Sequence, residues 1–357
     1  MLTCESTSTE TGFVVKFKVG IALLALSMVA AACGQEGQPA GAGLVLQNPG
    51  QVFDIQPAVF SYGYGDGDQL TYDTLISAEI SFDVDFEQSG SFKDSGNMFM
   101  EAVVDYSIVD GIDPGTYEIT VSTMMESFGM SGFETMSGGQ DFNAEDLGLG
   151  LDAFIPEIAM VLDGQGNVLS AAADGVAIPT DFLGGDFSGL TGNASTQLFG
   201  PAFPEDQLTV GGTWTNEETT EIPGFGPWTI TTDNEVVAID VVDGRETVVI
   251  QSSSRAPALV MDLADMMSMV DDAGTLLGDE SDVDFGELMG AFMADLEMEI
   301  RMEMVDMRTT TWFDFEEGVV VRILADMGLV MVMKMDGFGD SGRMDMTMTM
   351  EIEENLR

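Results

Sequence analysis

The sequence predicts an α+β protein dominated by curved antiparallel β-sheet, with about ten strands and a few helices packed on the apolar face. Three observations lead to this prediction. Apolar and polar residues alternate along many segments, which is typical of strands with one dry and one wet face. Short turn signals separate neighbouring segments. Two stretches in the second half carry apolar residues at helical spacing instead.

The strands are predicted from this alternation and from the turns between them. Asp-Gly at 243–244 suits a tight hairpin turn, and Asp163-Gly-Gln-Gly marks another. In the first half the predicted strands cover 76–86, 98–108, 117–121, 158–162 and 167–171. In the second half they cover 235–242, 245–252, 297–305, 308–315, 319–335 and 343–354.

Two helices are predicted inside the second half. One carries Val260, Leu263, Met267 and Val270, and the other covers 285–296 after a capping-box-like Asp-x-x-Glu. One-faced strands must bury their apolar side against another layer, and these helices or a second sheet are the candidates for that layer.

The start of the chain predicts a signal peptide over residues 1–32. Lys16 and Lys18 precede an apolar run at 19–28, which is followed by three alanines. Residues before 13 are polar and acidic, so we expect translation to begin near Val14 or Val15. No later apolar run approaches membrane-spanning length.

Cys33 directly follows the three alanines at 30–32. This arrangement resembles the lipobox of bacterial lipoproteins, with Ala30 where Leu is more usual. The resemblance implies that the thiol receives diacylglycerol, that the peptide before it is removed and that the new amino terminus is acylated. The protein would then be extracytoplasmic and lipid-anchored to the cell membrane. An uncleaved anchor helix or a plain secretory signal is the alternative.

The mature chain is predicted to contain a flexible tether at 33–51, a β-rich half at 52–177, a connector at 178–204 and a second β-rich half at 205–357 with the two helices inserted. The tetrapeptide Asp-Gln-Leu-Thr occurs at 68–71 and again at 206–209, which hints at a duplicated half.

Two short motifs carry a family resemblance. Val210-Gly211-Gly212-x-Trp214, and Trp312-x-Asp314 before Gly318, resemble uncharacterised bacterial lipoproteins built from two related β-rich halves. More distantly they resemble lipoprotein carriers whose curved sheet wraps a hydrophobic cavity under helices. The resemblance implies a non-enzymatic envelope protein that holds an apolar ligand.

The charge balance is strongly acidic. The chain has 11 basic and 62 acidic residues, and the net charge of −51 is unchanged when residues 1–32 are left out. Such a surface repels nucleic acid and anionic headgroups. Adaptation to a saline exterior and specific calcium binding are the two explanations of this excess of acidic residues.

Loop carboxylates that could bind Ca²⁺ are Asp66, Asp68, Asp282 and Asp284. Neither loop fits the EF-hand pattern, and solvated turns are the alternative. No other cofactor is predicted.

Catalysis is not predicted. The chain has no histidine, so Gly339-Asp340-Ser341-Gly342 lacks the general base that this protease-like motif requires. A zinc or iron site built from His or Cys is also excluded, because the chain has no histidine and Cys33, the only cysteine after residue 32, is the predicted lipidation site. Carboxylate pairs of the glycosidase type are the remaining route.

Methionine is the unusual feature of the composition, with 27 residues. Many alternate along the predicted strands 297–305, 319–335 and 343–354, so one face of these strands is expected to form a pliable thioether wall. It is either ordinary core, the lining of an apolar ligand site, or a Cu(I) site. The predicted ligand face comprises Met298, Met302, Met304, Met331, Met333, Met335, Met344, Met346 and Met348.

The function predicted from these features is a carrier or chaperone for an apolar ligand in the cell envelope. A structural or adhesive surface lipoprotein, with acidic cation-binding loops and no small ligand, is the alternative.

The anchor prediction is tested with Cys33→Ser. Because lipidation needs the thiol, this variant should leave the membrane fraction or accumulate as unprocessed precursor, as read from fractionation and mass spectrometry. Wild-type processing and membrane retention of the variant would refute the lipid anchor.

Overall fold

The computed structural model describes residues 57–88, 90–133, 142–143, 157–173, 176–178, 200–222, 226–262, 296–337 and 340–357. Every regular element in these residues is a strand. The first half contains β1 (Gln69–Phe86), β2 (Gly90–Asp110), β3 (Thr116–Ser131), β4 (Phe142–Asn143), β5 (Ile158–Asp163), β6 (Val168–Ala173) and β7 (Val176–Ile178). The second half contains β8 (Thr213–Ile222), β9 (Gly226–Val242), β10 (Arg245–Arg255), β11 (Leu259–Asp262), β12 (Leu296–Asp314), β13 (Val319–Gly337) and β14 (Asp340–Leu356).

These strands form one antiparallel sheet that runs through both halves. Its order is β7-β6-β5-β3-β2-β1-β14-β13-β12-β10-β9-β8, with β4 beside β3 and β11 beside β12. Each half is therefore a six-stranded meander with one short extra strand. The two meanders are joined by the pairing of β1 with β14, which runs from Tyr72 opposite Leu356 to Phe86 opposite Gly342.

The sheet is strongly rolled. β5 and β13 are five strand spacings apart, which is roughly 24 Å on a flat sheet. Nevertheless, the carbonyl after β5 (Gly164) and the carbonyl before β13 (Gly318) accept hydrogen bonds from the adjacent amides of Tyr62 and Gly63, at 2.8 and 3.1 Å. Adjacent amides can bridge oxygens only within roughly 10 Å of each other. The sheet must curl to bring these turns together.

Two segments, 58–64 and 200–208, cross this end of the rolled sheet, and we call them the straps. The straps pair with each other through reciprocal hydrogen bonds between Ala58 and Leu208, at 2.7 and 3.1 Å. The second strap is also bound to the turn after β5, because Phe203 N donates to the carbonyl of Gln165 at 2.9 Å. The straps therefore link turns from both halves.

Aspartate side chains shape the two turns that hold the straps. Asp163 Oδ1 accepts from the amides of Gln165 and Asn167, both at 2.9 Å. Asp314 Oδ1 accepts from the amides of Glu316 and Glu317, both at 3.0 Å. Such side-chain-to-backbone bonds define a turn locally. The sequence thus places a strap-binding carbonyl at the end of each hairpin.

Alternation along each strand separates two faces. On β1, Tyr72, Ile76, Ile80 and Val84 are buried, and we call this the inner face of the sheet. Glu79 is exposed on the opposite, outer face. Inner-face residues of neighbouring strands are in register, so the buried surface is continuous across β2, β1, β14, β13 and β12.

The prediction of an α+β fold with helices packed on the apolar face is wrong. The described residues contain fourteen strands rather than about ten strands with helices. Val260, assigned to the first predicted helix, lies in β11 and pairs with Arg301 of β12. Pairing with an available strand edge overrides the helical spacing of a short apolar run. Residues 263–295, which include the rest of both helix predictions except Leu296, lie outside the described residues.

The two predicted hairpins are confirmed. β9 and β10 are joined by Asp243 and Gly244, with φ of 52° and 86°, as a primed two-residue turn requires. β5 and β6 are joined by the Asp163 turn.

The contact between strap and turn leaves no room for a side chain at Gly63. A Cβ there would lie 2.6 Å from the carbonyl oxygen of Glu317. Gly63→Ala should therefore lower the free energy of unfolding by about 1–3 kcal/mol, the usual cost of overpacking. Urea unfolding measures this. Gly164→Ala is the matched control, because its Cβ would have no neighbour closer than 3.9 Å. Equal stability of the two variants would contradict the close approach.

Candidate ligand-binding site on the inner face

The structure brings the nine predicted methionines onto the inner face of three neighbouring strands. They lie opposite one another in register, with Met298 facing Met335, Met302 facing Met331, Met333 facing Met344 and Met331 facing Met346. Leu329 lies between Met304 and Met348 in the same rows. Six of the nine methionines are buried. Met298, Met304 and Met335 are half-buried and pack against the same cluster.

This methionine face is larger than the sequence predicted. It continues onto β1 and β2 through residues that are apolar but are not all methionine, and they form one buried cluster with it: Ala78, Ile80, Phe82, Val84 and Met98, together with Phe133. Alternation placed these residues on a dry face. It could not show that β1 lies beside β14, because the paired residues are more than 250 positions apart in the chain.

A second cluster, formed by aromatic residues, lies where the straps cross the sheet. Phe203 of one strap packs on Phe313 of β12, with ring centroids 4.7 Å apart, and on Tyr62 of the other strap at 5.5 Å. Tyr62 in turn stacks on Tyr64 at 5.5 Å. The strap residues are about 140 positions apart in sequence, so no local pattern could have predicted this cluster.

Hydrogen bonds hold the polar atoms of this aromatic cluster. The Tyr72 hydroxyl donates to the carbonyl of Val320 at 2.7 Å, and the Trp214 indole donates to the carbonyl of Ala202 at 2.8 Å. Burial raises the pKa of Tyr72 and of Tyr106 well above the ordinary tyrosine value. Both phenols are therefore neutral hydrogen-bonding groups at physiological pH.

A row of polar side chains crosses the inner face between the methionine face and the aromatic cluster. On β9 and β10, Ser252 donates to Asn234 at 2.6 Å, and both are buried. Ser252 lies opposite Thr309 of β12, and the next inner-face position along β12 is Thr311. From Thr311 the same level of the sheet leads across Ile323 of β13 to Glu354 of β14 and Thr74 of β1. Thr74 donates to Glu354 Oε1 at 3.0 Å. We call this set the polar row.

Glu354 is the exceptional member of the polar row. Its side chain is 0% exposed, and burial raises its pKa to about 8, while the hydrogen bond from Thr74 acts in the opposite direction. Its second oxygen, Oε2, has no hydrogen-bond partner, and neither has the hydroxyl of Thr311. The sequence signal was available: in β14 the even positions from Met344 to Ile352 face inward, so Glu354 follows them.

A small cavity lies beside Glu354 at the aromatic cluster. It is lined by two tyrosines whose pKa Glu354 raises, and its volume is about 10 Å³, room for about one water molecule. Typical small-molecule sites are about 300–1,000 Å³. A ligand group would therefore need this region to widen. The lining residues are Tyr64, Leu70, Tyr72, Tyr106, Ile108, Ile119 and Val320.

The outer face carries all basic residues that follow Lys18. Each of these nine Lys and Arg side chains is at least 26% exposed and forms an ion pair with a carboxylate. Arg322, the least exposed, pairs with Glu353 at 2.6 Å and lies over the Trp312 ring at 5.3 Å. No Lys or Arg of the described chain faces the polar row.

The predicted calcium ligands are only partly described. Asp68 Oδ2 accepts from the amide of Gly65 at 2.6 Å, and Asp66 Oδ1 from that of Asp110 at 3.4 Å. Asp282 and Asp284 lie outside the described residues, as does Cys33. Groups of three or more His, Cys, Asp or Glu side chains placed to hold a metal do not occur in the described part of the chain.

Comparison with known proteins identifies no family. No protein-family model and no curated protein matches this chain. Among solved structures, it is similar to OccK2 (OpdF) of Pseudomonas aeruginosa, with a TM-score of 0.21 and 8% identity over 81% of this chain and 98% of that one. It is also similar to an outer membrane channel from Pseudomonas putida F1, with a TM-score of 0.20 and 7% identity over 87% and 99% of the two chains. Similarities this low carry no argument about function.

Within the described residues, no helix has the length and apolarity that crossing a membrane requires.

The burial of Glu354 predicts a pH-dependent stability. The unfolded chain releases this proton near the ordinary value of 4.5, whereas the native state holds it up to about 8. Between these values the native state binds more protons, so the contribution of Glu354 to the free energy of unfolding falls as pH rises, by roughly 5 kcal/mol in total. Tyr72, Tyr106 and Thr74 face the carboxyl and supply no positive charge.

The test compares Glu354→Gln with wild type by urea unfolding at pH 4.5 and pH 8. Glutamine cannot ionise, so the variant should be markedly more stable at pH 8 and similar to wild type at pH 4.5. Glu79→Gln, which removes an exposed outer-face carboxylate, is the matched control and should show no such difference. A stability difference between Glu354→Gln and wild type that does not change with pH would refute the buried neutral carboxyl.

Proposed function

We propose that this protein is a lipid-anchored extracytoplasmic binding protein that carries an apolar ligand on the inner face of its rolled sheet. The observation that carries the proposal is the methionine face, an unbroken surface of thioethers and other apolar side chains in register over five strands. Methionine is unbranched, flexible and polarisable, so a surface rich in it adapts to apolar molecules of different shape.

The distribution of charge supports a protein that works in water beside a membrane. The outer face carries exposed ion pairs such as Arg343 with Asp345 and Arg357 with Asp73. A sheet face in contact with lipid would need an apolar band there. Attachment through a lipid on Cys33, the first residue of the tether at 33–51, fits this distribution. The envelope location and the anchor both belong to the proposal.

A structural or adhesive surface protein is the second candidate. The excess of carboxylates favours it, because the described ion pairs involve only nine basic residues against 60 acids after residue 32. Dissolved cations would screen or bridge the remaining carboxylates. In this case the methionine face is solid core and binds nothing.

Binding of a neutral fluorescent probe separates the two candidates. The full chain carrying Cys33→Ser, purified without detergent, is titrated with N-phenyl-1-naphthylamine. Stoichiometric binding with increased fluorescence is expected for a carrier. Met333→Ala and Met346→Ala should weaken binding several-fold, because they remove part of the contact surface of the ligand.

The matched control is Met160→Ala, which truncates an equally buried methionine in the aromatic cluster. Each of these truncations should cost about 2–5 kcal/mol of stability, so stability alone does not distinguish the sites. Only the methionine-face variants should lose probe affinity. If wild type takes up no probe, the carrier proposal fails and the structural candidate remains. Equal loss in all three variants would place the probe elsewhere.

A further inference from the structure

The polar row differs from the largely apolar core around it. Two of its buried polar atoms, Glu354 Oε2 and Thr311 Oγ1, have no hydrogen-bond partner. Leaving such atoms unpaired costs about 1–3 kcal/mol each and more for a charged group. Both belong to inner-face positions that flank Ile323 of β13, so they lie on the same side of the sheet at the same level. A ligand group that forms hydrogen bonds with these two oxygens would remove this cost.

We propose that the polar row binds the head group of the apolar ligand, and that this head group is a hydrogen-bond donor, best an amine. Glu354 Oε2 is the principal acceptor. The inference rests on the proposed function and names the chemical class of the ligand. It follows from the position of Glu354 on β14, where the inner-face positions next to it along the strand are Ile352, Met350 and Met348.

The geometry suits an amphiphile. The inner face of β14 changes from a carboxyl at position 354 to an apolar run that continues to Met344, over roughly 34 Å of strand. A ligand with its head at Glu354 would lay its tail on the methionine face. On the other side of Glu354, Tyr72 and Tyr106 contribute apolar rings to the small cavity.

The placement of the basic residues indicates which charge the head group of the ligand carries. All nine basic residues after Lys18 lie on the outer face in ion pairs, and the chain has no histidine. The one of these cations that acts on Tyr72 beside Glu354 is Arg245, and it is already paired with Asp314 and Glu317. An anionic head group beside Glu354 would therefore find no unpaired Lys or Arg among the described residues. A carboxylate or phosphate head would lose its hydration in this low-dielectric site without gaining a counter-charge, because Glu354 can offer it only a neutral carboxyl. An ammonium group would meet its counter-charge, and a hydroxyl would donate a neutral hydrogen bond.

Binding of an ammonium is coupled to a proton. Glu354 is protonated in the unliganded protein below pH 8. To pair with R-NH₃⁺ the carboxyl loses its proton to solvent, so one carboxylic acid O–H bond breaks and one buffer molecule gains the proton. Thr74 continues to donate to Oε1. The groups facing the carboxyl are Thr74 on β1, Tyr72 and Tyr106 on β1 and β2, and Ile323 on β13.

The experiment uses dodecylamine, dodecanol and dodecanoate as competitors of N-phenyl-1-naphthylamine on the full chain carrying Cys33→Ser. The amine should compete at least about tenfold better than dodecanoate, because a charge-assisted hydrogen bond is gained. Adding Glu354→Gln should abolish the preference of amine over alcohol, because the amide can accept a hydrogen bond but cannot supply a counter-charge. In weak buffer at pH 7, the parent protein should release close to one proton per bound amine, and the Glu354→Gln protein none.

Glu79→Gln is the control for general attraction of a cation to an acidic protein. It removes one outer-face charge and should retain the preference for amine over alcohol. If the probe binds but the three competitors act equally, or if Glu354→Gln keeps the preference for amine, the head-group site is refuted while the carrier function stands. If the probe does not bind at all, the carrier function itself fails, and the head-group site fails with it.

Discussion

The antiparallel ladder between β1 and β14 is the interaction on which the rest of the structure depends. It pairs the first long strand with the last, and it joins two meanders that are otherwise each formed by chain neighbours. Without it, β1 and β14 would be the open edges of two separate sheets. The methionine rows of β14 would then lose their continuation onto Ile80 and Phe82 of β1.

This ladder also sets the position of the polar row. Glu354 lies opposite Thr74, and the register that makes them partners also places Met350 opposite Ala78 and Met346 opposite Phe82. Because side chains alternate with period two, a slip of one residue would turn the carboxyl to the outer face and Glu353 inward. Arg322 would then lose its partner on the outer face. The register is therefore specified by charge as well as by hydrophobic pattern.

Sequence alone predicted the strands and the faces well where alternation is regular, as in β1 and in the methionine strands. It predicted the Asp243-Gly244 turn because a primed turn has a local chemical requirement. It failed for whatever depends on distant partners: the β1–β14 pairing, the strap contact of Phe203 with Phe313, and the role of Glu354. The helix prediction at Val260 failed because β11 has only four residues, three of them apolar, and so short a run fits either period. Pairing with the edge of β12 decides the outcome.

The β1–β14 ladder has a consequence for how the chain is made. β1 precedes every other described strand and β14 follows them all, so the central pair of the sheet joins residues about 280 positions apart, such as Thr74 and Glu354. Such a pair closes late, because a long loop must be ordered first. Until β14 has been synthesised, β1 and β13 are long strands with open edges and an apolar face, the kind of surface that aggregates. A chain with this topology benefits from being kept extended until its last strand is available.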